Sequence, residues 1–433
     1  MTKLMKLPFL ALSFLLIASA CTKDSCKLTD IRRVNIPVYM SLEEFRQGVK
    51  MEAPRLLENP GKIYFYQGYL FINEYDEGIH VYDNRNPGTP SNLGFIKIKG
   101  NYELAVKNGV LLADSYMDLV AIDISDPGNA REAGRLPDVF EHYATAQGFP
   151  MDEEQGVIVD WEEKELTEVT DNCDRYSYYN YNGSVFQGTT GSGTMPVAVA
   201  ENASGAEQGG SSSGIGGSMA RFTISGDYLY SISTSSMEAF DVSAPTSPVR
   251  RGSQTLSRMA ETIFPYEDKL FLGTTTGMMI YSLANPALPQ FISELEHVTS
   301  CDPVAVEGQF AYVTLRDGNT CQNFTNQLEV VDISNIQAPK LLAVHPMHNP
   351  HGLGIDDGTL FICDGDAGLK VFDATDPLTI GENLISSDAS ITAIDVIPFN
   401  DILMVISKEG FYQYDYSDPV NLRLLSVIPV TGI

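Results

Sequence analysis

The sequence predicts an all-β propeller of four-stranded blades, and three observations carry that expectation. The phrase "LVAIDISDP" at 119–127 returns as "IHVYDNRNP" at 79, "MEAFDVSAP" at 237, "MMIYSLANP" at 278, "LEVVDISNI" at 328, "LKVFDATDP" at 369 and "FYQYDYSDP" at 411. Its fifth positions, 83, 123, 241, 282, 332, 373 and 415, are separated by 40, 118, 41, 50, 41 and 42 residues. A fixed period of that size marks a propeller or a solenoid. Within each period, short apolar runs are broken by Asn-Gly, polar or Asp-Pro turns, which makes four short strands per repeat.

The elements follow in chain order. Lys3 and Lys6, an apolar run from Leu7 to Ile17 and small residues up to Cys21 make residues 1–20 a secretory signal, too short to span a bilayer as a mature helix. Residues 21–59 are a tether and lead-in, with one short helix expected near "SLEEFRQGV". Residues 60–433 form the propeller. The 118-residue interval is read as two periods plus an insertion, because "YATAQGFPMDEEQGVIVDWEEKELTEV" aligns by eye with "ITAIDVIPFNDILMVISKEGFYQYDYS". Eight blades are therefore favoured, the third eroded, with seven as the alternative. The Gly/Ser-rich stretch at about 172–218 is expected to be a loop.

Alternation along "LVAIDIS" puts Leu119, Ala121 and Asp123 on one face and Val120, Ile122 and Ile124 on the other. Both faces are largely apolar, as for a strand sandwiched between neighbouring blades. The aspartate at the strand end suits backbone N–H groups of the following turn, and Pro127 presets that turn. A device repeated in every blade is a packing solution. A catalytic site is assembled once, from unlike residues.

The alanine-serine-alanine run before Cys21 resembles the lipobox of bacterial lipoproteins, which implies that Cys21 carries lipid and that the exported chain is anchored at the cell envelope, on the outer membrane. The L-x-V-x-D-x-S-[DN]-P phrases resemble the LVIVD repeat of bacterial and archaeal surface proteins over roughly residues 60–433. That resemblance implies the architecture and names no reaction. Ser282 replaces the aspartate in one copy and Ile336 the proline in another.

With 56 acidic against 28 basic residues, the net charge of −28 disfavours nucleic acid as a partner. An exported chain can keep disulfides. Cys301 enters one blade and Cys321 lies in its second-to-third-strand loop, so a Cys301–Cys321 disulfide is expected. The same placement brings His348 and His351 toward Asp364 and Asp366, a candidate metal set for a transition ion or calcium whose alternative is solvated turn residues. No cofactor is required.

The starts of the innermost strands converge on the channel mouth with Tyr102, Glu103, Tyr143, Arg221, Glu261, Asp302, His351 and Thr392. These are the candidate ligand-binding residues, unless they only bond one another and channel water. "GSSSG" at 210–214 matches a nucleophile-elbow pattern but has no strand–turn–helix context. The expected function is an envelope-anchored binding module for a protein, a glycan or another extracytoplasmic polymer. A hydrolase or lyase at the channel mouth, with calcium, is the alternative.

Overall fold

A computed structural model describes residues 28–140, 155–170, 213–296, 303–317 and 325–431. Seven antiparallel sheets form the propeller, each with four blade strands in sequence order, and one of them carries two further flanking strands. Blade 1 spans residues 60–97, blade 2 104–136, blade 3 222–255, blade 4 260–296, blade 5 304–346, blade 6 353–388 and blade 7 393–429. First strands of successive blades pack side by side, and blade 7 meets blade 1 to close the ring.

The apolar-on-both-faces pattern is realised in packing. Leu119, Val120, Ala121 and Ile122 are all fully buried, so blade 2 is covered on both sides. Closure between the ends of the chain is made without a shared sheet. Thr431 N donates to Leu57 O at 2.8 Å, and Leu57 forms a parallel bridge with Val430. Asn84 and Gln413 exchange reciprocal amide hydrogen bonds, 2.8 Å each way, between the first and last blades. Residues 41–59 belong to this body: Lys50–Glu52 adds an outer strand to blade 1. The helix Leu42–Arg46 is capped by Ser41, which accepts from Glu44 N, and Arg46 reaches the buried Asp118 at 2.9 Å.

There are seven blades, and the expectation of eight is corrected. The segment read as an eroded blade supplies Val157–Thr170, which pairs with Leu28–Met40 in a separate two-stranded sheet. The physical reason is composition. A blade strand needs two apolar faces, and this one carries Asp160, Glu162, Glu163 and Glu165, with 162–167 exposed. Arg33 pairs with Glu163 at 3.3 Å within that ribbon. The 118-residue interval thus holds one period and a long excursion.

The repeated aspartate is a turn device in every blade that has it. Asp123 Oδ1 accepts from Ser125 N at 3.0 Å and from its hydroxyl at 2.6 Å, while Arg131 reaches Oδ2 at 2.7 Å. Asp241 and Asp415 repeat the pattern with Ser243 and Arg251, and with Ser417 and Arg423. In the exceptional copy, the Ser282 hydroxyl accepts from Ala284 N at 3.1 Å and does the same job. These bonds favour the ionised form and pull Asp83, Asp123, Asp241 and Asp415 down to about 2. A depressed folded-state value contributes stability that is present above the ordinary carboxylate range and lost as pH falls toward 2. Asp123→Asn should lower the melting temperature by roughly 1 to 3 °C at pH 5, the charged bond being partly solvated. The difference from the parent should shrink as pH drops from 4 to 2, as thermal melts across that range would read.

Candidate functional site

The centre of the ring is occupied by the chain itself. Residues 213–221, the end of the long excursion, run through the channel before becoming the first strand of blade 3. Ser213 bridges Lys107, and Gly214 N donates to Val106 O at 3.1 Å on blade 2. Ile215–Gly216 pairs antiparallel with Phe65 and Tyr64 on blade 1, and Gly217 N donates to Ile63 O at 3.3 Å. The segment then spreads across the ring. The Ser218 hydroxyl donates to Asp395 Oδ1 of blade 7 at 2.9 Å and accepts from Leu353 N of blade 6 at 2.6 Å, and Ala220 O accepts from Ile263 N of blade 4 at 2.9 Å.

Glycine is required here by close approach. A Cβ on Gly217 or on Gly352 would collide with the Asp395 carboxylate, and one on Gly214 would enter the Tyr64 ring. The serine and glycines of "SGIGGS" therefore have a built role, whereas from the sequence the whole 172–218 stretch is expected to be a loop. The serine-glycine pair that ends "GSSSG" lies in this channel segment as well.

Around the segment lies a buried polar cluster. Lys62 donates to Met219 O at 2.9 Å and stands 3.1 Å from Glu103 Oε1, and Glu103 Oε2 accepts from Arg221 N at 3.1 Å. Burial pulls the Lys62 ammonium below its usual range, opposed by Glu103 and reinforced by Arg221. Burial pushes Asp395 well above the carboxylate range, although Val396 N, Ser218 N and the Ser218 hydroxyl all donate to it. Removing one member of a buried pair such as Lys62–Glu103 strands the other and costs about 3–5 kcal/mol.

Loops entering the first strands and loops joining second to third strands share one face, as expected from the sequence. Buried side chains at the ends of second strands stitch them together. Asp114 Oδ1 accepts from Asn101 Nδ2, Tyr102 N and Glu103 N, each at 2.8 Å. The Thr314 hydroxyl donates to His351 O at 2.6 Å, and Asp364 accepts from Asn349 N at 2.7 Å and from Lys370. Burial lifts Asp114 to about 7 despite those donors.

The predicted residues divide accordingly. Glu103 is buried with Lys62 and serves the channel. Tyr102, Arg221, Glu261, His351 and Thr392 are half-buried on the mouth face. Arg221 Nε donates to Glu261 O at 3.3 Å, and Thr392 is bonded through both N–H and hydroxyl to Glu409, 2.8 Å each. Tyr102 packs against Tyr75 with ring centroids 6.1 Å apart. Tyr143, Asp302, Cys21, Cys301 and Cys321 lie outside the described residues.

In the candidate metal set, His348 Nε2 lies 3.0 Å from Asp366 Oδ1. Asp364 is turned to backbone N–H groups and Lys370, and the His351 ring faces the Arg316 guanidinium, 3.0 Å from Nε2. Among the described residues, no group of three or more His, Cys, Asp or Glu side chains converges as ion ligands. The sequence reading missed Lys62, Ser218, Arg316, Asp395 and Glu409. Ser218 closes the "GGS" run just ahead of the first strand of blade 3, and Lys62 lies within the first strand of blade 1. Arg316 directly follows the second strand of blade 5, which ends at Leu315.

Three stretches of the chain, residues 92–137, 216–255 and 300–343, match the LVIVD repeat. No curated protein matches the chain. Among solved structures, the Pseudomonas aeruginosa periplasmic gluconolactonase PpgL is similar over 85% of this chain and 96% of its own, at 12% identity and a TM-score of 0.54. The computationally designed Ika8 protein is similar over 87% and 90%, at 11% identity and a TM-score of 0.49. At such identities the likeness to PpgL bears on fold alone. The chain is a seven-bladed β-propeller carrying LVIVD repeats.

Two consequences follow for the channel. Gly217→Ala forces Asp395 or the segment aside and should cost about 1–3 kcal/mol in chemical denaturation. Gly226→Ala, whose Cβ meets nothing within 4 Å, is the backbone control: its positive φ adds strain without crowding. The raised Asp114 has the opposite pH sign to the turn aspartates: stability falls as pH rises from about 4 to about 7. Asp114→Asn keeps the accepting oxygen and should flatten that part of the profile, with Asp395 leaving a residual slope.

Proposed function

We propose that the protein is a binding module whose ligand engages the channel mouth. One observation carries this reading. Asp114, Asp364 and Asp395 each accept backbone N–H groups within the fold, and Tyr102, Arg221, Glu261, Arg316 and His351 gather half-buried on one face of the ring. Unlike polar and aromatic side chains converging on one face are the kind of grouping that fixes a ligand. Two guanidinium groups there, in a chain of net charge −28, favour acidic or hydroxyl-rich ligand groups.

The partner in this reading is a protein, a glycan or another extracytoplasmic polymer. The N-terminal pattern ending at Cys21 supports an exported, lipid-anchored protein at the cell envelope. The LVIVD repeats fit such a surface protein and carry no assigned reaction.

A screen of purified protein against immobilised glycans and envelope polysaccharides, read by biolayer interferometry, tests this. The double variant Arg221→Ala/Arg316→Ala should weaken any ligand found by about tenfold or more with an unchanged melting temperature. Turnover of a bound polymer into shorter or unsaturated products would overturn the binding reading in favour of a hydrolase or lyase.

A further inference from the structure

Blade 3 differs from the other six at a position the fold ordinarily keeps apolar. Three residues before the turn aspartate or its replacement, the third strand pairs across to a second-strand residue that is Ile72, Ala113, Leu272, Val313, Ile362 and Val405 in blades 1, 2, 4, 5, 6 and 7. In blade 3 it is Ser231, opposite Glu238, which in turn lies opposite Ser253 on the fourth strand. Directly paired residues share one face of a sheet, so Ser231, Glu238 and Ser253 form a polar stripe across three strands; Ser231 is the departure among them, since the third-strand position also carries His80, Glu329 and Lys370 in blades 1, 5 and 6. Ser231 is only 3% exposed, and its hydroxyl has no hydrogen-bond partner among the described residues.

These residues line a cavity of about 110 Å³ that is partly open to solvent. One side is polar. Glu238 accepts from Arg250 Nε and from the Ser253 hydroxyl, both at 2.7 Å, and the Ser233 and Ser236 hydroxyls face each other at 2.8 Å. The other side is apolar. Phe140 packs against Phe222 and Phe240 with centroids 5.6 and 5.9 Å apart, and its N–H is held by Met117 O at 3.0 Å.

We infer that this cavity between blades 2 and 3 binds a single sugar ring, the terminal unit of a glycan or a free monosaccharide. A pyranose has hydroxyls at its rim and a C–H face, and the cavity opposes serine hydroxyls, an acceptor-only carboxylate and a donor-only guanidinium to an aromatic wall. A purely apolar ligand would leave the Ser231 hydroxyl without a partner and would cover the charged Glu238–Arg250 pair. A small anion would meet the Glu238 carboxylate, which already holds Arg250. The volume is below that of drug-sized pockets, so one ring enters and its remaining substituents stay in solvent. This site is separate from the channel mouth and does not depend on a ligand there.

Titration of the purified protein with methyl α-D-glucopyranoside, methyl β-D-galactopyranoside and methyl α-D-mannopyranoside, followed by ligand-observed NMR, tests the assignment. At least one should bind saturably with a Kd of about 1–20 mM. Glu238→Gln should weaken it about tenfold, the loss of a charge-assisted hydrogen bond. Ser231→Val installs the kind of residue the other blades carry, so it folds and should abolish binding, while Arg221→Ala/Arg316→Ala at the mouth leaves Kd unchanged. Absence of saturable binding by all three glycosides, binding that survives Ser231→Val, or equal displacement by acetate or phosphate would each overturn the proposal.

Discussion

The hydrogen-bonded passage of residues 213–221 through the ring is the constraint on which the rest of the molecule depends. First strands of propeller blades are edge strands, and their inward N–H and C=O groups need partners. Here the chain supplies them from inside, bonding blades 1, 2, 4, 6 and 7 within nine residues. That passage explains why the excursion must leave blade 2 and return through the axis. It explains the glycines, since only a residue without a side chain fits beside Tyr64 and Asp395.

Charge is sorted by depth. The aspartates of the turns sit at the rim, accept several donors and stay ionised. Those that anchor the channel and the mouth loops, Asp114 and Asp395, are buried among comparable donors and are pushed the other way. Equal residue types thus titrate on opposite sides of the ordinary carboxylate range because desolvation outweighs hydrogen bonding only where water is excluded. The resulting stability profile declines toward both acid and neutral pH for distinct physical reasons. Blades depend on the first set, ring-to-channel stitching on the second.

Repeats were the legible part of the sequence. Period, alternation and the Asp-x-Ser turn gave the blade, its strand order and the structural role of Asp123 and its relatives. Blade number was not legible in the spacing, because the 118-residue interval has room for two periods; the five carboxylates of "VIVDWEEKELTEV", spread over both faces, exclude that strand from a two-sided core. The mouth residues were locatable because they precede each first strand. Lys62, Ser218 and Asp395 were not, since their partnership is made by an insertion whose path through the axis has no periodic signature. Gly-Gly-Ser composition is equally compatible with a solvent loop and with tight passage between strands. Only the three-dimensional neighbours distinguish them.

In a repeat protein, each position has an internal standard, namely the residues at the same place in the other blades. A departure from that standard carries information even where no relatives are compared. Ser282 departs and yet preserves the turn bond, so it changes nothing. Ser231 departs by setting a hydroxyl against a partly open cavity, beside Glu238 and Ser253, where the other blades present an aliphatic side chain. A serine there buries less apolar surface than the aliphatic residues of the other blades. Such a cost is retained where the group has something outside the fold to bind. The repeat therefore marks its own functional positions by the blades at which it fails to repeat.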